Sequence, residues 1–242
     1  MNRLARALLV AAPVLALGAL GGFAGAARVR RSLAGERSVV AAPAGLLLHV
    51  PHAAGPIVLD GDMDDPGWRS ATARTGAFVD AGGDPVHPYS DARLVWGDGH
   101  LYVALYAADE DIRATQPDAD APLWREDAFQ LLFADGAAER SIDVSPLGTV
   151  TDARRAGSAP FDYAWQSGVH VSREIDGTLN RPDDDDEEWV IEMAIPFESL
   201  GLRGERGEST GFRVRRCDTP HDGRRICASW GWGREAGALV LD

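Results

Sequence analysis

Lysine is missing from this chain. Its 24 basic side chains are all arginine, set against 37 Asp and Glu, and the net charge is −13. Six of the arginines (3, 6, 28, 30, 31 and 37) fall in residues 1–37, where Glu36 is the one acid, so the remainder is more acidic than the total suggests. So acidic a body repels nucleic acid and anionic lipid, and no basic stripe offsets that. Acidity suits divalent cations, but only where carboxylates converge on one point. Also missing are a His-rich metal triad, a P-loop, a dinucleotide fingerprint and a long amphipathic helix. Gly207-Glu-Ser-Thr-Gly211 matches the nucleophile-elbow string. That chemistry needs a strand–turn–helix on a mostly parallel sheet, whereas this string sits in a loop entering an antiparallel strand. Acids are so common here that a carboxylate pair for glycoside hydrolysis could be drawn almost anywhere, so their abundance carries no information. The reading is of a protein that is not an enzyme.

Cysteine is scarce, with two in 242 residues. Cys217 and Cys227 flank a segment containing an Asp222-Gly223 turn signal. If Phe212–Cys217 and Cys227–Gly231 pair about that turn, the two cysteines fall close to opposite each other, and a disulfide is geometrically reasonable. Closing so short a loop stabilises by about 2–3 kcal/mol on the chain-entropy model. A two-cysteine metal site is the weaker reading, since no tetrahedral set is completed nearby.

Long hydrophobic runs are absent except at the start. Arg3 and Arg6 precede an almost uncharged apolar run from Ala7 to Ala27, and Ala24-Gly25-Ala26 offers a small-residue cleavage site. The run is also about long enough to span a bilayer, with Arg28, Arg30 and Arg31 directly after it. Residues 1–37 therefore read as an export signal, either cleaved or retained as an anchor helix through residues 7–27. Either way the body faces an oxidising compartment: secreted, periplasmic or held on the outer side of a membrane. The opposite orientation, with the three arginines keeping the C-terminus inside, stays open. Residues 38–55, rich in Ala, Gly and Pro, read as a tether into a body spanning 56–242.

That body reads as strands. Leu123 to Asp135 is the clearest stretch: Phe129, Leu131 and Phe133 alternate with Ala128, Gln130 and Leu132, the period of a strand with one apolar face. Trp124 stands just before it, either as a binding platform or as a cap on the core edge. Ala92–Trp96 and Leu101–Tyr106 flank Gly97-Asp98-Gly99-His100, a strong hairpin signal. Arg140–Ser145, Gly168–Val171, Trp189–Ile195, Gly211–Cys217, Cys227–Gly231 and Gly237–Leu241 follow as strands. Pro196-Phe-Glu-Ser-Leu-Gly is one helical turn ended by glycine. Many short strands with regular turns argue for an all-β, antiparallel sandwich of jelly-roll or immunoglobulin-like type. Alternation then gives an apolar set (Phe129, Leu131, Phe133, Ile142, Val144, Trp189, Ile191, Met193, Ile195, Phe212, Val214). The opposite set is Gln130, Asp143, Ser145, Glu192, Arg213 and Arg215. If these strands share a sheet, the second set is a polar face. It is either a sugar site or a solvated face with ion pairs such as Glu192 with Arg213 or Arg215.

The order of segments resembles carbohydrate-binding module family 9 and the related DOMON-like sandwiches. It rests on Ile57-Val-Leu-Asp-Gly-x-x-Asp-x-x-x-Trp68, the Leu94-Val-Trp and Leu101-Tyr-Val hairpin with Asp109 after it, and Trp124-x-x-Asp127-x-x-Gln130-x-x-Phe133. Val144-Ser-Pro-x-Gly148, Trp189-Val-Ile-Glu-Met-Ala-Ile-Pro-Phe and Gly237-Ala-Leu-Val-Leu complete it. The resemblance covers nearly everything from Ile57 to Asp242. It implies a β-sandwich that binds polysaccharide or oligosaccharide without catalysis, often attached to secreted polysaccharide-degrading enzymes, and able to carry structural calcium. Trp124 matches one of the two tryptophans that clamp the sugar in the family's characterised form. Gln130 falls where a glutamate is expected, Asp143 roughly where an arginine is, and Arg215 where a glutamine is. The second clamp belongs to the loop before the last strand, here shortened to Ser229-Trp-Gly-Trp-Gly-Arg-Glu, so Trp230 and Trp232 are both candidates. The changed positions imply a different ligand, or a sandwich that has lost sugar binding and serves as a surface interaction domain. For calcium, Asp60, Asp62, Asp64 and Asp65 form the densest carboxylate cluster near a turn, with a solvated Asx turn as the alternative. Related sandwiches in respiratory dehydrogenases bind haem b. Axial ligands are hard to find here: Met193 reads as core, and Met63 with His87 or His100 makes no convincing pair.

Overall fold

The computed structural model describes residues 46–221, 223–232 and 237–242. The expected signal or anchor helix at 7–27, and Asp222 of the expected turn, lie outside the described residues. The described chain is built of strands: β1 (Leu47–Val50), β2 (Ala73–Arg74), β3 (Ser90–Gly97), β4 (His100–Ala108), β5 (Ala128–Asp135), β6 (Ala138–Val144), β7 (Val150–Ala156), β8 (His170–Asp176), β9 (Glu188–Pro196), β10 (Ser209–Asp218), β11 (Ile226–Trp230) and β12 (Ala238–Leu241). A seven-stranded sheet runs β1-β12-β10-β5-β6-β7, with β11 also paired to β10, and a five-stranded sheet runs β2-β3-β4-β9-β8. Pairing is antiparallel except for β1 with β12. The long β10 carries two short strands end to end along one side, β12 at Ser209–Gly211 and β11 at Val214–Asp218.

The expected apolar set is the interior, and both sheets contribute to it. Phe129, Leu131, Phe133, Ile142, Val144, Phe212 and Val214 of the larger sheet join Trp189, Ile191, Met193 and Ile195 of the smaller in one buried cluster. Phe129 and Trp189 meet edge to face with centroids 4.9 Å apart. Local turns follow their residues. Asp98 and Gly99 take φ of 48° and 80°, the backbone that a two-residue hairpin turn demands. The short helix α1 (Phe197–Leu200) stops at Gly201, φ 75°. Cys217 and Cys227 are direct cross-strand partners, joined by a disulfide with Cα atoms 4.1 Å apart.

Three expectations are corrected. First, the body begins at β1, inside the stretch read as a tether, because Leu48 and Val50 bury themselves beside β12. Second, the body read as strands from residue 56 opens without one, since Ile57–Gly61 forms no strand. The chain there leads into a cover over the outer face of the five-stranded sheet, where Met63, Trp68 and Ala71 pack on Val95, Ala104, Tyr106 and Val190. Third, Glu192 lies on β9 in the other sheet from Gln130, so the expected pairs with Arg213 and Arg215 do not form. Glu192 is instead fully buried beneath the cover. Its Oε2 accepts the backbone N–H groups of Gly61 at 2.8 Å and Asp60 at 3.0 Å, and its Oε1 accepts Trp68 Nε1 at 2.7 Å. Burial raises its pKa to about 7 against the pull of those three donors.

Candidate functional site

On β5 the apolar side chains face inward, so Gln130 faces out. Strand register then decides its neighbours. Gln130 pairs with Asp143 on β6 and Arg215 on β10; beyond them stand Thr151 on β7 and Ser229 on β11. One row thus crosses the outer face of the seven-stranded sheet as Thr151, Asp143, Gln130, Arg215, Ser229. Gln130 Nε2 donates to Ser141 Oγ at 3.1 Å and to Asp143 Oδ2 at 3.3 Å, and Ser141 Oγ donates to Asp143 Oδ1 at 2.9 Å. Burial pushes the Asp143 carboxyl above its ordinary pKa, opposed by the Ser141 and Gln130 hydrogen bonds and then by Arg215. The Arg215 guanidinium carbon sits 5.0 Å from the centroid of the Trp232 ring, a cation–π contact that fixes both side chains.

Trp124 enters from the 3-10 turn Leu123–Arg125 that feeds β5. Leu123 is buried against Ala121 and Ala128 and anchors the turn, while Trp124 stays 49% exposed. It does not cap the core. Trp230 is corrected: it is 4% exposed and packs with its ring centroid 5.9 Å from that of Phe212, so it belongs to the interior. Trp232 is half-buried and lies against Arg215. The expected ligand-binding set therefore resolves into a row of Gln130, Asp143 and Arg215, with the Trp232 ring against it and Trp124 at the entry to β5. Such a row offers alternating donors and acceptors to hydroxyl groups, and its rings offer flat apolar faces.

The acidic turn is shaped by its own carboxylates. Asp60 Oδ1 accepts the Asp62 N–H at 2.9 Å, and Asp65 Oδ2 accepts the Val58 N–H at 2.6 Å. Among the described residues, the carboxylates that converge are Asp109, Asp127 and Asp218, all buried, with oxygens within 4.8 Å of one another. Arg216 stands among them. Its Nη2 is 2.7 Å from Asp109 Oδ2 and 4.0 Å from Asp218 Oδ1, and Trp189 Nε1 donates to the same Asp109 oxygen at 2.9 Å. Asp127 accepts the N–H groups of Arg113 at 2.5 Å and Thr219 at 2.6 Å, which ties two loops to one end of the sandwich. Burial, and next the Asp109 charge, raise the Asp127 pKa. With the Arg216 guanidinium paired to Asp109 and close to Asp218, this cluster acts as an internal strut. Sequence reading ended the inward set of β10 at Val214, yet Arg216 continues the same parity. An arginine at an inward position needs a carboxylate, and that requirement points to Asp109. Met193 and Met63 are both packed in apolar clusters, which leaves neither free as a haem ligand.

No family model matches the sequence, and no curated protein is similar to it at the sequence level. Solved structures are similar in fold. A "putative carbohydrate-binding protein" from Bacteroides uniformis is 14% identical with a TM-score of 0.64, over 82% of this chain and 100% of that one. A carbohydrate-binding module of family 9 from Caldicellulosiruptor kristjanssonii, solved with cellotriose, is 16% identical with a TM-score of 0.54, over 81% of this chain and 93% of that one. The same kind of module from that organism with glucose gives 15% identity, a TM-score of 0.56, and 80% and 95% coverage.

Proposed function

We propose that this chain is an exported, non-catalytic carbohydrate-binding module that takes a sugar on the outer face of its seven-stranded sheet. Gln130, Asp143 and Arg215 hydrogen-bond the hydroxyls, while Trp124 and Trp232 pack on the apolar faces of the rings. The observation that carries this reading is the in-register row of Gln130, Asp143 and Arg215, on a sheet whose β5 is entered through a turn carrying an exposed tryptophan. Large aromatics are normally buried, and the fold gains nothing by leaving Trp124 in water. The cellotriose and glucose bound by the two modules of similar fold make these the first ligands to try.

The test is a pull-down on insoluble polysaccharides with titrations of cellotriose and glucose, run with calcium and with chelator. Saturable binding is expected. Trp124→Ala should weaken it by roughly 30-fold, the loss of about 2 kcal/mol typical of an aromatic anchor. Unchanged retention of that variant refutes the site. A calcium-dependent signal that is also lost on replacing Asp60, Asp62, Asp64 and Asp65 with asparagine would give that acidic turn a metal-holding role.

A further inference from the structure

A cavity of about 620 Å³ opens at the β7 edge of the sandwich, lined by residues of β6, β7, the 157–169 loop and α1. The loop is held in place. It runs back along β7, where Asp162 and Arg154 exchange backbone hydrogen bonds of 2.7 and 3.2 Å. Ser167 N–H donates to the buried Asp152 at 2.6 Å, and Ser199 of α1 donates to the Ser167 carbonyl. Three aromatics alternate along this loop: Phe161, Tyr163 and Trp165. Tyr163 is 51% exposed and Trp165 lines the cavity.

The lining carries three arginines, 140, 154 and 155, and three acids, Glu139, Asp162 and Glu198, but they are not all paired with one another. Arg155 pairs with Glu139 and lies over the Phe161 ring. Arg154 is 3.6 Å from Asp162, with both side chains more than half exposed. Arg140 lines the cavity and forms no ion pair among the described residues. Its Nη1 is buried, with the guanidinium against Gly201, which leaves Nε and Nη2 as the donors a ligand can meet. A guanidinium matches carboxylate and phosphate, and with Glu139, Asp162 and Glu198 on the same walls the singly charged carboxylate is repelled less. The cavity's size is in the range of about 300–1,000 Å³ that holds small ligands.

We propose that this cavity is a second binding site, for the carboxylate-bearing ring of a uronic acid unit. Arg140 takes the carboxylate, Trp165 packs on the ring, and Gln166 and Ser199 meet its hydroxyls. The site does not depend on the row around Gln130. The long-range repulsion between an acidic protein and an acidic glycan is screened beyond about 8 Å at physiological ionic strength, so the local pair decides.

The experiment titrates the full chain with trigalacturonate and a glucuronate trisaccharide, each beside its methyl ester, which keeps the rings and removes the charge. One acid is expected to bind saturably, and its ester about tenfold more weakly or worse. Arg140→Gln and Trp165→Ala should each lower affinity for the acid by about tenfold or more, with near-normal melting, while Trp124→Ala binds it as the native chain does. Equal affinity for acid and ester, undiminished binding by both cavity variants, loss of acid binding in Trp124→Ala, or no saturable binding of either acid overturns the proposal.

Discussion

Glu192 offers a direct test of how the N-terminal cover is held. The carboxyl is fully buried and its pKa is raised from 4.5 to about 7, chiefly by burial. Between those two values the folded chain keeps a proton that the unfolded chain has released. Folding is therefore coupled to proton uptake in that window. The stabilisation from this group is complete below about pH 4.5 and is lost as pH rises through 7. The displacement corresponds to about 3 kcal/mol. Glu192→Gln keeps the shape and cannot ionise. It loses something at every pH, because the amide turns an N–H toward one of its three donors and leaves that donor unsatisfied, for about 1–3 kcal/mol. That loss does not vary with pH, so the difference between native and variant isolates the titration. Urea unfolding followed by tryptophan fluorescence at pH 4.5, 5.5, 6.5 and 8 should show the gap moving in the variant's favour by about 3 kcal/mol. A gap constant to about 1 kcal/mol across that range would mean that Glu192 is ionised throughout, and would refute the reasoning.

Two further outcomes test the frame around the site. Reducing the Cys217–Cys227 disulfide, or replacing both cysteines with serine, should cost about 2–3 kcal/mol in urea midpoint experiments. The register of β10 with β11 should hold the row at Arg215, so sugar retention survives at low temperature. Arg216→Met should destabilise by about 3–5 kcal/mol, since it strands the buried Asp109 carboxylate beside Asp127. Arg216→Met combined with Asp109→Asn should recover part of that loss, and a double variant no better than the single one would argue against the strut.

How much of this was legible in the sequence depends on which force set each feature. β5, β9 and β10 could be read because one face must be dry, and a period of two then leaves a visible pattern. The α1 stop at Gly201 and the Asp98-Gly99 hairpin were legible because each needs a positive φ at a known position. Alternation says inside or outside, but it does not say which sheet. Glu192 and Gln130 look alike in sequence and ended on opposite outer faces of the sandwich. β1 escaped notice because Leu46, Leu47 and Leu48 form a run without alternation, and only the distant β12 gives that run a partner. Trp230 and Trp232 are two residues apart and would share a face on a regular strand. The chain leaves β11 at Gly231, whose φ of 76° no side chain adopts easily, and whose Cβ would meet the Phe212 carbonyl oxygen at 2.9 Å. That one turn sends Trp230 into the core and Trp232 out onto Arg215.

The placement of the candidate site follows from an asymmetry between the two outer faces. On the five-stranded sheet the outward residues Val95, Ala104, Tyr106 and Val190 are apolar, and the cover carrying Met63 and Trp68 buries them. Asp91, Arg93, Glu188 and Glu192 are the buried charged residues of that face, and Glu192 is tied by the same segment. A ligand would have to displace a stretch of chain that completes a core. On the seven-stranded sheet the outward row is polar across β7, β6, β5, β10 and β11; Thr151 at its β7 end is buried and donates to the Ala121 carbonyl, while Gln130, Arg215 and Ser229 stay partly exposed. A face that is already stable in water can meet hydroxyl groups at little cost, exchanging one set of hydrogen bonds for another. Affinity then has to come from the rings, and this makes the exposed Trp124, rather than any of the polar residues, the position where a single substitution should tell most.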